Sequence, residues 1–237
     1  MSTVHGGQGS IITQGLVLRL DAANPRSYEP PYTSTTWKDI SGNGNNGTLT
    51  NGPTFNSANG GSIVFDGTND YSNIGSTIDF STYTNGFTIG FWVKILNISQ
   101  TNRYLFSKRR NDGGDNQFSV IYGYVGSTFE LYGGASGGAN QVIRTGSQIL
   151  VNNTDWHFLY YTVGTTTTGY LDGVVKFVNT YPTLTFVPST NNNLIATFNA
   201  AGFYGNLSLS SMVLYNRALS ATEVLQNFNA TRARFGI

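Results

Sequence analysis

The chain has 237 residues, a net charge of +1 and 11% charged residues, far below the ~25% of an average globular protein. That balance excludes a global field for nucleic acid or anionic lipid. An aromatic content of 14% argues against disorder, because disordered segments lack the residues that build a core. With no cysteine, disulfides and thiolate metal sites are excluded too.

In chain order, Met1 to Gln14 is a polar arm without the basic start and apolar run of a secretory signal. The Gly/Asn-rich stretch from Ser41 to Gly60 reads as a loop. Phe87, Ile89, Phe91 and Val93 alternate with Thr88, Gly90, Trp92 and Lys94, which predicts a strand with one buried face. Lys108-Arg109-Arg110, beside Asp112 and Asp115, reads as a solvated hairpin tip. Phe118–Tyr124 and Phe129–Tyr132 are short aromatic strands, and Gly133–Asn140 reads as a loop. Trp156–Val163 is apolar on both faces, as in a strand covered on both sides.

Asp172-Gly173 between apolar runs predicts a two-residue type I′ hairpin, since both turn positions need positive φ. Phe203 to Tyr215 alternates again, with Leu207, Leu209 and Met212 or Val213 turned inward. Ser220 and Glu223 form a capping box. The helix they start carries Val224, Leu225 and Phe228 on one face and ends near Asn229. No stretch approaches the ~20 apolar residues of a membrane span. Short strands with regular turn signals predict one antiparallel sandwich over residues 15–230, with an arm (1–14) and a tail (231–237).

Six blocks carry a resemblance to a known family. They are Gly15–Asp21, Trp37–Thr48, Ser62–Tyr71, Gly86–Val93, Trp156–Tyr160 with Leu171-Asp172-Gly173, and Phe203–Leu207 running through Tyr215-Asn216-Arg217-Ala218-Leu219-Ser220 to Glu223. Together, and in this order, they resemble a laminin-G-like, concanavalin-A-like jelly-roll domain. The resemblance implies an all-β, antiparallel two-sheet jelly-roll sandwich with one short C-terminal helix. The ends, Gly15–Tyr28 and Phe228–Ile237, resemble virion structural proteins of tailed marine bacteriophages. This implies a non-enzymatic structural or adhesion component of a virion, made in the host cytoplasm. Capsid or appendage proteins and further copies of the chain would be its partners. His5, Arg232, Arg234 and Phe235 are then the candidate assembly residues. The alternative is a carbohydrate-binding module that recognises a host surface glycan.

The family resemblance also implies calcium at a loop-rich edge, with Asp39, Asn43, Asn45, Asp66 and Asp70 as candidate oxygen ligands. The competing reading is that these residues shape turns and end strands. Glycoside hydrolysis needs two nearby carboxylates. The glutamates are Glu29, Glu130 and Glu223, and Glu130 has no second acid within four residues on either side. An enzyme is therefore not expected. His5 lies in the arm, and His157 reads as a packing or hydrogen-bonding residue. For sugar binding, Tyr122, Tyr124, Tyr132 and Trp92 could supply ring faces, and Asn140 or Arg144 hydrogen-bond donors.

Overall fold

The computed structural model describes residues 9–109, 116–133, 148–180, 186, 188–200 and 202–237, with Arg109, Asn116 and Gln117 described by backbone alone. The strands are β1 (Leu16–Asp21), β2 (Thr36–Trp37), β3 (Gly47–Thr50), β4 (Thr54–Asn56), β5 (Ser62–Asp66), β6 (Tyr71–Asn73), β7 (Phe87–Ile95) and β8 (Arg103–Arg109). There follow β9 (Asn116–Tyr122), β10 (Thr128–Gly133), β11 (Ile149–Leu150), β12 (Trp156–Val163), β13 (Thr167–Leu171), β14 (Val174–Asn179), β15 (Leu194–Ile195) and β16 (Asn206–Tyr215). Among the described residues one α-helix, α1 (Ala221–Thr231), follows β16 and leads into a 3-10 turn over Arg232–Phe235.

Among the described residues these strands pair antiparallel into two eight-stranded sheets. The first has the order β14-β13-β12-β7-β16-β5-β4, with β1 added alongside β16. The second has the order β11-β10-β9-β8-β15-β6-β3-β2. A bulge in β16 between Leu209 and Ser211 lets β5 pair with its first half while β1 takes its second half. Between the sheets lies the main core, built from inward residues such as Leu18, Trp37, Phe65, Ile89, Phe106, Val120, Leu159 and Leu209. This is the expected two-sheet sandwich with one short C-terminal helix.

The hairpin and helix starts follow their local signals. Asp172 (φ 54°) and Gly173 (φ 77°) both adopt positive φ between β13 and β14. The Ser220 side chain accepts from the Glu223 N–H, and Glu223 reaches back to the Ser220 N–H. The helix runs two residues beyond Asn229 and buries Val224, Asn227 and Phe228. Leu225 is exposed instead of packed. A polar residue takes its place in the interface: Asn227 accepts from the Ile12 N–H at 2.8 Å and donates to the Tyr215 hydroxyl at 3.0 Å.

The expectation of one buried face on β7 is corrected. Thr88, Gly90 and Trp92, on the outer side, are buried as well. The cause is a second apolar cluster on the outer face of the first sheet. Trp92, Phe158, Tyr160, Tyr170, Val213 and Tyr215 lie beneath Val224 and Phe228 of α1, and Ile11 from the N-terminal segment. The helix, residues 10–12 and the Arg232–Phe235 turn thus roof one sheet, while the other sheet keeps a face that α1 does not cover.

The ends are consumed in that roof. Ser10 and Ile12 are hydrogen-bonded to α1, through Gln226 and Asn227, and the Ile12 carbonyl accepts from Tyr215. Phe235 stacks on Trp92 with ring centroids 3.9 Å apart. Arg234 donates to Asp21 at 3.0 Å and to Ser210 at 2.6 Å. The Arg232 guanidinium lies over the Phe228 ring, 5.6 Å from its centroid. Arg234 and Phe235, read from sequence as assembly residues, therefore face their own sandwich. His5 lies outside the described residues.

Candidate functional site

The outer face of the second sheet can be built from its register. Residues on the inner side of β9 and β10, Phe118, Val120, Tyr122, Phe129 and Leu131, enter the core. Their neighbours must point the other way, since strand side chains alternate. Tyr104, Ile121 and Glu130 form one outward row across β8, β9 and β10. Thr36, Thr48, Asn73, Leu194, Ser107, Ser119 and Tyr132 form a second row across most of the sheet.

An aromatic cluster sits on this face. The rings of Tyr104 and Phe198 lie 5.0 Å apart, and Phe203 is 6.0 Å from each of them. Phe203 is 43% exposed and held at φ 57°, while Tyr104 is buried. The Tyr104 N–H donates to the Phe203 carbonyl, which fixes the loop that presents the ring. Beneath Phe198, Ser107 donates to its carbonyl at 3.0 Å. Toward β2, the same face is a ladder of partly exposed Thr36, Thr48 and Asn73. A sheet face that carries an exposed ring and a line of hydroxyl and amide groups can offer a sugar both a stacking surface and hydroxyl-reading groups.

This set differs from the expected one. Tyr122 is a core residue whose hydroxyl donates to Val151, and Trp92 lies under the C-terminal roof. Both are unavailable to a ligand. Tyr132 is half-buried on the outer face, and Tyr124 is exposed at the β9–β10 turn. Asn140 and Arg144 lie outside the described residues. Phe203 was expected to start an inward-alternating strand, but β16 begins three residues later, at Asn206. Tyr104 is far in sequence from Phe198 and Phe203, and the pairing of β8 with β15 brings it to them.

The calcium candidates do not converge on one centre. Asp39 accepts from the N–H groups of Arg19, Ser41 and Asn45 and from the Ser41 hydroxyl. A carboxylate offers about four lone-pair sites, so donors already fill this one. Asn43 and Asn45 turn their amide N–H groups to the Val17 carbonyl, and Asn45 accepts from Thr77. These residues precede β3. Asp66 and Asp70 lie past its other end, where Tyr71 pairs with Thr50. Asp66 accepts from Thr68 and Asn69, which lowers its pKa, while burial raises that of Asp70. The five residues thus fit two turns and not a shared metal cradle. Among the described residues, no three His, Cys, Asp or Glu side chains gather as a metal group.

The glutamates are dispersed. Glu29 pairs with Lys38 at the surface. Glu130 is buried on the outer row and accepts from Val125 N–H and Thr128. Glu223 caps α1 and binds Arg217 through both its oxygens, at 2.6 and 3.0 Å. Arg217 also borders a polar cavity of about 340 Å³ with Gln14, Thr82, Tyr83 and Asn85, but its charge there is already matched by Glu223. The hydrogen bond from Arg217 pulls the Glu223 carboxyl down from 4.5 to about 2. The stabilisation is therefore complete above pH ~4.5 and lost as pH falls toward 2. Glu223→Gln is expected to flatten the acid limb of a stability–pH profile in that window, measured by urea melts.

His157 and Lys108 complete the inventory. His157 is hydrogen-bonded at both ring nitrogens, to Asp172 at 2.9 Å and Asn153 at 2.8 Å, as a structural residue would be. Lys108 overturns the solvated-tip reading: it is fully buried and donates to the carbonyls of Ser76 and Ile78. Arg110, Asp112 and Asp115 lie outside the described residues.

Residues 66–225 match the profile of the concanavalin A-like lectin/glucanases superfamily, laminin-G type, and the chain belongs to that family. No curated protein matches in sequence. Among solved structures, the chain is similar to domain 4 of an extracellular arabinanase from Geobacillus stearothermophilus, solved in complex with arabinotriose. The TM-score is 0.64 at 16% identity, covering 90% of this chain and 97% of that one. It is also similar to the binding domain of Paraclostridial mosquitocidal protein 1 (TM-score 0.65, 19% identity, 91% of this chain and 52% of that one). A third is the receptor-binding domain of botulinum neurotoxin C/D mosaic serotype (0.68, 12%, 92% and 51%). At these identities the likeness is one of fold. The family match and these neighbours together define the concanavalin A-like sandwich fold.

Proposed function

We propose that the chain is a non-enzymatic glycan-binding sandwich whose ligand lies on the outer face of the second sheet. The observation that carries this reading is the exposed Phe203 ring, backed by Phe198 and Tyr104, on the same sheet face as the Thr/Asn ladder. Such a face supplies stacking area and hydroxyl-reading groups together. The arabinanase domain solved with arabinotriose supports the same reading by analogy of fold. Among the described residues the three glutamates lie apart, at the surface beside Lys38, on the outer row of the second sheet and at the cap of α1, which supports a reading without paired-glutamate hydrolysis.

The test is a glycan array on the intact chain, followed by calorimetric titration of the strongest hit. Saturable binding is expected, and Phe203→Ala should weaken it at least tenfold, a loss of about 1.4 kcal/mol. A silent array, or unchanged affinity in the variant, would overturn the reading. The resemblance of the terminal segments to phage virion proteins supports placement on a particle as a host-adhesion or decoration element. With Arg234 and Phe235 engaged internally, attachment would use other surfaces. Absence of the protein from a mass-spectrometric inventory of purified particles would remove that placement and leave the glycan reading intact.

A further inference from the structure

The end of the sandwich near the 74–79 loop holds an arrangement that no surface function uses. Strand β15 pairs with β8 through Leu194 opposite Ser107 and Ile195 opposite Phe106. Continuing that antiparallel register places Asn193 opposite Lys108. Both residues are completely buried. The Lys108 amine donates to the Ile78 carbonyl, and the Asn193 amide donates to the same oxygen at 3.2 Å. Two nitrogens that share one acceptor lie within reach of each other.

The two side chains are held there firmly. The Asn193 N–H donates to the Gly75 carbonyl at 2.8 Å, and its own carbonyl accepts from Ile74 at 2.9 Å. Its side-chain amide also donates to Gly75 at 2.8 Å. The amide oxygen of Asn193 is buried and has no hydrogen-bond partner among the described residues. Around the pair stand Ile78, Phe80, Phe106, Phe118 and Ile195, each no more than 2% exposed. Such a box disfavours an ammonium ion and excludes competing water. Asp79 follows Ile78 directly and acts on Lys108 through its charge.

We propose that Lys108 and Asn193 become joined, within the folded chain, by an amide bond between their side chains. The neutral Lys108 Nζ attacks Asn193 Cγ and a C–N bond forms. The Cγ–Nδ2 bond then breaks and ammonia departs, carrying the proton that Nζ gives up. Asp79 is the group placed to relay that proton. No oxidant or other reactant enters, and the chain loses one ammonia. Burial lowers the Lys108 pKa to about 8, against the opposing pull of Asp79. Roughly a tenth of the amine is then neutral at pH 7, enough to supply the nucleophile. The bond would weld β8 to the segment entering β15 and replace a costly buried cation with a neutral amide.

Mass spectrometry of the purified full-length chain tests this directly. The intact mass is expected to fall short of the sequence mass by one ammonia. A tryptic digest should contain peptide 104–109, uncleaved at Lys108, joined to peptide 177–217. Lys108→Met and Asn193→Ala should each restore the full mass, whether or not they fold as stably. Asn193→Asp should lose one water instead of ammonia. Asp79→Asn should leave freshly purified chain largely unlinked; linkage at the wild-type rate would overturn the relay role of Asp79. Wild-type chain at full sequence mass, with the two peptides separate, would overturn the proposal.

Discussion

Replacing Trp92 with alanine is expected to destabilise the protein by about 3–5 kcal/mol, the range for a fully buried aromatic residue. Trp92 is 1% exposed and stands at the centre of the C-terminal roof. Its ring stacks on Phe235 at 3.9 Å and meets Phe158 edge-on at 5.4 Å. Its indole N–H donates to the Thr231 hydroxyl at 2.8 Å. The substitution removes apolar area, opens a cavity and leaves Phe235 without its platform. Chemical denaturation should show the loss, and for a chain this long melting should fall by roughly 2–4 °C per kcal/mol. A loss below about 1 kcal/mol would mean that the roof is not part of the cooperative fold. Phe235→Ala should cost less and should be strongly non-additive with Trp92→Ala, since the two side chains are in contact. On the same grounds, deleting residues 231–237 should lower the stability of the sandwich.

Local chemistry was legible in the sequence wherever neighbours in the chain decide the outcome. The Asp172-Gly173 hairpin and the Ser220–Glu223 capping box needed only the residues that form them. Two-fold alternation likewise marked Phe87, Ile89, Phe91 and Val93 as core. What remained hidden depends on long-range docking. Nothing near Trp92 announces that a helix more than a hundred residues later will cover it. Asn227 carries no apolar signal, yet it binds both Ile12 and Tyr215. Lys108 sits in a run of three cations, a pattern that normally marks a surface. Its inward direction follows from its place opposite Phe118 in β8 and β9. The candidate glycan face was hidden for the same reason. Tyr104, Phe198 and Phe203 meet through strand pairing, while Tyr122, the more conspicuous aromatic, faces the core.

Gly90→Ala gives the sharpest test of how the two clusters of the first sheet fit together. In an ordinary strand this change is mildly favourable, because alanine loses less backbone entropy on folding. Here Gly90 lies opposite Tyr160 in the β7–β12 ladder. A Cβ at Gly90 would lie 2.2 Å from the Tyr160 ring. That ring cannot swing away freely, for it stacks on Phe158 at 4.0 Å and is almost wholly buried. The same pairing recurs at Gly169, where a Cβ would meet the Phe177 ring, also at 2.2 Å. Overpacking of this kind costs about 1–3 kcal/mol, and the tightness at Gly90 places it at the upper end. Gly90→Ala is therefore expected to lose about 3 kcal/mol in urea denaturation, against the small gain that an uncrowded strand would show. Tyr160→Leu alone should also destabilise, by removing ring area from the outer cluster. Combined with Gly90→Ala, it should cost less than the sum of the two, because the methyl then occupies space the ring has left. Simple additivity in that cycle would show that the ring does not lie across the glycine, and the packing of β12 on β7 would have to be redrawn.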